Sequence, residues 1–183
     1  MSDKYYMEKD IEDTMIKLAK KKSFDKITVT DIVKECGISR QTFYYHYEDM
    51  LQLADQVLSR KIEEAADQAS KSESAEAALS IFVESLCEYK EIISYMRYSK
   101  NKEHLIVTML SNIKKVFYRI PECLAEDEKI TFDFYLFSQY EELYAHGILG
   151  YLFVNLIEKN GNPNKISEQL YWVLEKNFKL YLK

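Results

Sequence analysis

The chain has 183 residues, of which 47% are hydrophobic and 14% aromatic, and its 25 Lys and Arg against 30 Asp and Glu give a net charge of −5. This composition is typical of a globular protein with a sizeable core, and it excludes an intrinsically disordered chain. The acidic balance also excludes a protein that coats nucleic acid regardless of sequence, because such binding needs an excess of basic residues to release counterions from the phosphates.

The first predicted elements form a small N-terminal helical module. Apolar residues at helical spacing, such as Ile11 and Met15, predict a first helix over residues 7–21. Thr28 is placed to cap a second, short helix, and Gly37 offers the left-handed conformation that ends it. The second helix is therefore followed by a tight turn.

A third helix begins directly after this turn, in the segment ISRQTFYYHYEDM of residues 38–50. The Ser39 hydroxyl can accept a hydrogen bond from an amide of the first turn and so cap this helix. At 100° per residue Phe43 and Tyr47 fall on one face, which we predict to be core. The remaining arc carries hydrogen-bonding side chains: Gln41, Thr42, Tyr44, Tyr45 and His46. Two helices joined in this way form a helix-turn-helix, whose second helix fits the major groove of DNA.

Polar residues on this helix-turn-helix are predicted to contact DNA. The Gln41 amide can both donate to and accept from an adenine edge, whereas Arg40 would favour guanine. Hydroxyl and imidazole groups suit phosphate oxygens, which position a protein without carrying sequence information. The predicted set is Thr28, Thr30, Ser39, Arg40, Gln41, Thr42, Tyr44, Tyr45 and His46. Each residue also has a purely structural alternative, since Thr28 and Ser39 would cap helices in any protein.

The segment TVTDIVKECGISRQTFYYHYEDMLQLADQVL resembles the N-terminal DNA-binding domain of TetR-family transcriptional regulators, with similarity over about residues 8–58. The match is carried by Gly37, Ile38, Ser39, Thr42, Phe43, Tyr44, His46 and Tyr47. The resemblance implies phosphate contacts at Thr28, Tyr44 and His46 and operator-dependent contacts at Thr30, Arg40, Gln41 and Tyr45. The chain departs from the family pattern at Glu48 and at Met50, where the family usually has a lysine that contacts a phosphate.

The rest of the chain also reads as helices. Asp49 is placed to cap a fourth helix that runs to about residue 69, and the polar segment SKSES of residues 70–74 marks its end. Further helices are predicted at residues 75–89, 91–98, 104–120, 127–159 and 165–182, with stops at Pro121 and Pro163. The sequence thus predicts an all-α protein. A three-helix DNA-binding module in residues 1–50 is joined by a connecting helix, at about residues 50–69, to a helical ligand-binding and dimerisation domain in residues 51–183.

The last two predicted helices suit the pairing of two copies of the chain. From Gly147 to Leu156 the first of them is apolar around much of its circumference, which is hard to bury in a single chain of this size. Two helices from each copy would form a four-helix interface, with Gly147 and Gly150 allowing close approach. The predicted dimerisation residues are Gly147, Ile148, Tyr151, Leu170, Leu174 and Phe178. The alternative is that these helices fill the core of one chain.

Aromatic residues in the middle of the chain are candidates for an effector pocket. TetR-like proteins carry a C-terminal helical domain whose ligand pocket changes the separation of the two recognition helices, and the resemblance implies the same arrangement here. The candidate lining residues are Tyr89, Tyr95, Phe117, Tyr118, Phe137, Tyr140 and Tyr144, although aromatic residues at helical spacing equally form ordinary core. The segment GILGYLFVNLIEKNGNPNK resembles the subgroup that includes regulators of dihydroxyacetone-kinase operons, which implies no particular ligand.

These patterns favour a dimer that reads an inverted-repeat operator, and the family resemblance implies a ligand-responsive repressor with a small molecule or a protein as effector. The alternative is a co-regulator that keeps the helix-turn-helix fold but acts through a partner protein, which the absent lysine at Met50 favours. An enzyme is not expected, because His46, His104 and His146 have no metal-site spacing and no phosphate-binding loop is present. We expect no cofactor, no metal and no membrane partner. Cysteine usage and the lack of a signal or membrane-spanning run predict a cytoplasmic location.

Overall fold

The structure is a computed structural model that describes residues 2–128, 135, 138 and 140–178, and the regular structure in these ranges is helical. The helices are α1 Ser2–Ala19, α2 Val29–Cys36, α3 Arg40–His46, α4 Met50–Ala69, α5 Ala75–Glu88, α6 Lys90–Arg97, α7 Lys102–Glu128, α8 Glu141–Leu152 and α9 Pro163–Phe178. A 3-10 turn at Phe24–Lys26 precedes α2, and a π-helical segment at Phe153–Glu158 continues α8. The predicted all-α fold class is confirmed.

The predicted ends of the helix-turn-helix are confirmed. The Thr28 hydroxyl accepts from the Asp31 amide at 3.3 Å, and the Asp31 carboxylate accepts from the Thr28 amide at 2.8 Å, which makes a reciprocal capping box. Gly37 ends α2 with a left-handed φ of 69°. The Ser39 hydroxyl then accepts from the Thr42 amide at 3.0 Å and caps α3. Local side-chain chemistry therefore fixes where both helices begin.

Further along the chain, some of the predicted helix ends are confirmed and one is wrong. The connecting helix is α4, and the break at residues 70–74 separates it from α5, as predicted. The predicted stop at Pro121 is wrong, because α7 continues through that residue to Glu128. Proline removes one amide donor, but buried Ile120 and Cys123 on either side of it tie the helix to the core, so packing overrides the local preference. Of the predicted helix over residues 127–159, residues 129–134, 136, 137 and 139 lie outside the described residues, and α8 with the π-helical segment covers residues 141–158.

By packing, the chain divides into two compact units. The N-terminal unit consists of Met1–Arg60 with Glu91–Leu105. Within it α1 packs on α2 and α2 packs on α3. Its core includes the fully buried side chains of Ile11, Met15, Ile32, Phe43 and Tyr47. The prediction that Phe43 and Tyr47 form the core face of α3 is therefore confirmed.

The second unit consists of Lys61–Lys90 and Ile106–Lys183, and in it α9 packs along α5. The rings of Phe117, Tyr144 and Phe178 meet at its centre, with Phe117 and Phe178 at a centroid distance of 4.9 Å. The sequence predicts a domain boundary at residue 50, at the end of the helix-turn-helix, and that boundary stays a prediction. Among the described residues, none of the helices combines the length and the apolar character that crossing a bilayer requires.

The turn that follows the π-helical segment needs glycine at position 161. The Gly161 amide donates to the Asn155 carbonyl oxygen at 2.9 Å. A Cβ atom at this position would lie 2.7 Å from the same oxygen and 3.1 Å from Ile166 Cδ1. Because the oxygen belongs to the backbone, it cannot rotate away as a side chain would, and the segment itself would have to shift.

Replacing Gly161 with Ala is expected to lower the free energy of unfolding by about 1–3 kcal/mol through this backbone clash. Asn164→Ala, an exposed change three residues later, is the matched control and should stay within about 0.5 kcal/mol of the wild type. Urea denaturation followed by far-ultraviolet circular dichroism measures both values. Equal stabilities for the two variants would contradict the close approach at Gly161.

Candidate nucleic-acid interface

The side of α3 opposite the core presents polar and aromatic groups to solvent. Gln41 is exposed, and the rings of Tyr44 and Tyr45 are 55% and 75% exposed. On the other side Phe43 and Tyr47 are at most 1% exposed. The exposed arc that the sequence predicts for α3 therefore carries a hydrogen-bonding amide and two phenols.

The start of α3 is joined to the start of α2 by one side-chain contact. Arg40 Nη2 donates to Thr30 Oγ1 at 2.5 Å, and both residues are exposed. Thr28 and Ser39, also in the predicted set, are exposed but engage their hydroxyls in the caps of the two helices. The structure thus brings Thr30 and Arg40 together on one surface and gives Thr28 and Ser39 a clear structural role.

His46 and Thr42 are less open than the sequence pattern indicates. The His46 side chain is 4% exposed, and its Nδ1 lies 3.3 Å from Glu8 Oε1 on α1. The Thr42 hydroxyl lies 2.9 Å from the Ser39 hydroxyl and is half-buried. This geometry favours a positioning role for His46 over a phosphate contact, because the ring faces the supporting helix.

Sequence reasoning missed a buried polar contact that fixes the end of α3. The Tyr47 hydroxyl donates to Glu12 Oε1 at 3.2 Å, and Arg60 of α4 forms an ion pair with Glu12. Glu12 is 5% exposed. Burial raises the pKa of Glu12, with the Arg60 charge acting in the opposite direction, and burial also raises the pKa of Tyr47. One signal was available, since a buried tyrosine needs a partner and Glu12 borders the apolar stripe of α1.

Part of the positive charge near α2 is paired within the chain. Lys22 Nζ lies 2.9 Å from Asp31, and Lys17 Nζ lies 2.7 Å from Glu35. The hydrogen bond from Lys22, with that from the Thr28 amide, lowers the pKa of Asp31 to about 2. The positive charges of Lys17 and Lys22 are therefore partly neutralised by neighbouring carboxylates. This pairing suits a protein that binds DNA through specific contacts more than through its overall positive charge.

In the second unit, α8 and α9 border an open apolar groove of about 900 Å³. Five of the predicted dimerisation residues line it: Gly147, Ile148, Tyr151, Leu170 and Leu174. Phe178 does not, because its ring is fully buried against Phe117 within the chain. The most exposed apolar side chains of the groove, Leu143 at 70% and Trp172 at 63%, were not in the predicted set. The helical spacing of Leu143 and Gly147 was the available signal.

The candidate effector-pocket residues do not gather around one cavity among the described residues. Tyr95 belongs to the N-terminal unit, where its ring packs on Phe24 at 4.9 Å. Tyr89 borders a small polar hollow beside Lys61. Phe137 lies outside the described residues.

The remaining candidates are engaged with their neighbours. Phe117 borders a void of only about 10 Å³, and Tyr144 packs on it at a centroid distance of 5.3 Å. The Tyr118 hydroxyl donates to Glu141 at 2.5 Å, which raises the pKa of Tyr118 to about 12. Tyr140 is exposed. Among these four, only Tyr144 also lines the groove of α8 and α9.

Comparison with known proteins identifies the N-terminal module. Residues 12–57 match the family model described as bacterial regulatory proteins, tetR family. The uncharacterized HTH-type transcriptional regulator YxbF of Bacillus subtilis (strain 168) is 27% identical over 179 residues, which cover 90% of this chain and 43% of YxbF. The chain therefore spans less than half the length of that curated relative.

Two solved structures share the fold across almost the whole chain. The dihydroxyacetone kinase operon activator DhaS superposes with a TM-score of 0.73 at 18% identity, over 97% of this chain and 98% of its own. A transcriptional regulator of the TerR/AcrR family from Aquifex aeolicus VF5 gives a TM-score of 0.58 at 18% identity, over 94% and 99% of the two chains. At these identities the likeness shows the fold.

The pH dependence of stability tests the buried carboxyl of Glu12. Because burial raises its folded-state pKa, the stabilisation is fully present below the ordinary carboxyl pKa and is lost as pH rises through the raised value. The free energy of unfolding of the wild type, relative to Glu12→Gln, should therefore fall as pH rises from about 4. Urea denaturation over a pH series measures this difference.

Asp31→Asn serves as the control with the opposite sign. The pKa of Asp31 is lowered, so its contribution is present above the ordinary carboxyl pKa and is lost as pH falls toward about 2. A difference between wild type and Glu12→Gln that does not change with pH would show that Glu12 is not buried as described.

Proposed function

We propose that the chain, whose residues 12–57 match the tetR family model, is a transcriptional regulator of that family and acts as a homodimeric repressor that binds an inverted-repeat operator on double-stranded DNA and responds to an effector. The observation that carries this proposal is the exposed face of α3, where Gln41, Tyr44 and Tyr45 stand open to solvent above a fully buried opposite face. The family and the curated relative point to a regulator and not to an enzyme. We place its action in the cytoplasm, where bacterial DNA is accessible.

The exposed face supports a division of labour in DNA contact. Gln41, with an amide that both donates and accepts, reads a base edge, and the Arg40 guanidinium beside Thr30 reads a second one. Tyr44 and Tyr45 donate to phosphate oxygens, which sets the register of α3 in the groove. His46, turned toward Glu8, holds the end of the helix in place.

The groove of α8 and α9 supports the homodimer. Exposed Leu143, Trp172 and Val173 give this face an apolar character that a second copy would remove from water. A Cβ atom at Gly147 or Gly150 would meet nothing within 4 Å in the single chain, so both glycines leave room for a partner helix. Two recognition helices roughly 34–36 Å apart would then read the two halves of the operator.

The effector is a small molecule or a protein whose binding changes that separation. Among the described residues, the void beside Phe117 has a volume of only about 10 Å³, which is too small for a small-molecule effector. A second candidate function is a co-regulator that acts through a partner protein and binds no operator of its own. The pairing of Lys17 and Lys22 with carboxylates and the absence of lysine at Met50 favour it, because all three reduce attraction to phosphates.

A gel-shift titration with the DNA upstream of the chain's own gene tests operator binding. Gln41→Ala should relax the base preference at one position of each half-site by about 1–3 kcal/mol, because the Gln41 amide reads the base at that position. Tyr44→Phe should weaken binding to all sequences alike, since it removes a phosphate contact. Glu73→Gln, an exposed change in the second unit, is the control with unchanged binding. No shift at low salt would favour the co-regulator, and unaltered affinity in both α3 variants would show that α3 is not the reader.

Analytical ultracentrifugation tests the homodimer. Trp172→Glu places a charge in the proposed interface and should weaken dimerisation at least about tenfold, as expected when a central aromatic side chain is lost. Val107→Glu is the matched control, because Val107 is equally exposed at 63% but does not line the groove. A monomeric wild type, or equal dimerisation of the two variants, would rule out this interface.

A further inference from the structure

The N-terminal unit contains a cleft that DNA contact by α3 does not use. It has a volume of about 370 Å³. The first wall is the 3-10 turn around Phe24, and the second wall is one side of α6 together with the residues that follow this helix. Glu91, Tyr95 and Tyr98 recur at helical spacing along the second wall. The volume falls within the range of about 300–1,000 Å³ that small-ligand sites occupy.

Aromatic rings give this cleft a chemical preference. The rings of Phe24 and Tyr95 are in contact at a centroid distance of 4.9 Å and an interplanar angle of 59°. Tyr95 is 40% exposed and Tyr98 is 76% exposed, so both phenols open to solvent beside buried Phe24. The face of an aromatic ring carries partial negative charge and attracts cations. One cation already uses this property, because the Arg97 guanidinium lies 5.3 Å from the centroid of Tyr98.

The charged residues at the rim of the cleft also favour a cation. Asp25 on the first wall and Glu91 on the second are exposed carboxylates, and the rest of the lining is serine and aromatic. None of the described residues that line the cleft is Lys or Arg. The two carboxylates give the lining itself a negative charge, beside the Arg97 guanidinium that lies against Tyr98. These carboxylates would lose hydration without compensation if a neutral apolar molecule filled the space.

We propose that this cleft binds a small organic cation, an ammonium group on a compact apolar body, between the rings of Tyr95 and Tyr98 and the carboxylates of Asp25 and Glu91. The apolar body contacts the rings, while the positive charge faces both the ring faces and the carboxylates. The site lies in the DNA-binding unit, and its first wall ends two residues before Thr28, the cap of α2. It goes beyond the proposed function, because the binding does not depend on DNA or on dimerisation.

Isothermal titration calorimetry of the full chain tests the site with choline as the probe. The reference compound is 3,3-dimethyl-1-butanol, which has the same shape and no charge. Choline should bind at least about fivefold more tightly, because the neutral compound lacks attraction to rings and carboxylates. Equal affinity for the two compounds, or no heat from either at millimolar concentrations, would overturn the proposal.

Variants of one aromatic ring and of one carboxylate in the cleft test where choline binds. Tyr98→Leu should weaken choline binding about twofold to fivefold, whereas Tyr98→Phe, which keeps the ring, should leave it unchanged. Glu91→Gln should weaken it to a similar degree, and Glu73→Gln, which removes the same charge outside the cleft, should not. Tyr98 and Glu91 are both exposed, so these variants should unfold at the wild-type temperature. Wild-type affinity for choline in both Tyr98→Leu and Glu91→Gln would place the binding elsewhere.

Discussion

The buried contact between Tyr47 and Glu12 holds the end of the recognition helix against its support. A helix of seven residues is too short to be stable by itself, so α3 takes its direction from what its inner face touches. Phe43 supplies the apolar part of that face, and Tyr47 adds a hydrogen bond to a carboxylate that Arg60 also contacts. Side chains from α1, α4 and the end of α3 thus meet in one polar cluster within an apolar core. This cluster fixes the orientation of α3 and therefore which of its faces points outward.

The second unit has a different character, because its described residues pack aromatic rings against one another inside while apolar side chains stay exposed on one outer face. Phe117, Tyr144 and Phe178 close the interior on one another. Leu143 and Trp172, by contrast, stay in water. Burying these exposed apolar side chains against a second copy would be favourable, and this is the physical basis of the proposed homodimer.

Local chemistry could be predicted from the sequence, whereas the partners of distant residues could not. The caps at Thr28 and Ser39 and the turn at Gly37 depend on neighbours within four residues, and all three are confirmed. The inward turn of His46 depends on Glu8, which is 38 positions away. Phe178 illustrates the same limit, since helical periodicity shows which residues share a stripe but not whether the stripe faces its own core or another chain.

The hydrogen bond between Arg40 and Thr30 links two positions at which the family resemblance implies operator-dependent contacts. An arginine whose guanidinium is already held in the free protein loses less side-chain freedom when it meets a base. In the proposed complex, the direction from which Arg40 approaches a base would be set by a threonine on a different helix. Under the proposed function we therefore expect residues 30 and 40 to form an epistatic pair, in which the operator preference conferred by one depends on the identity of the other.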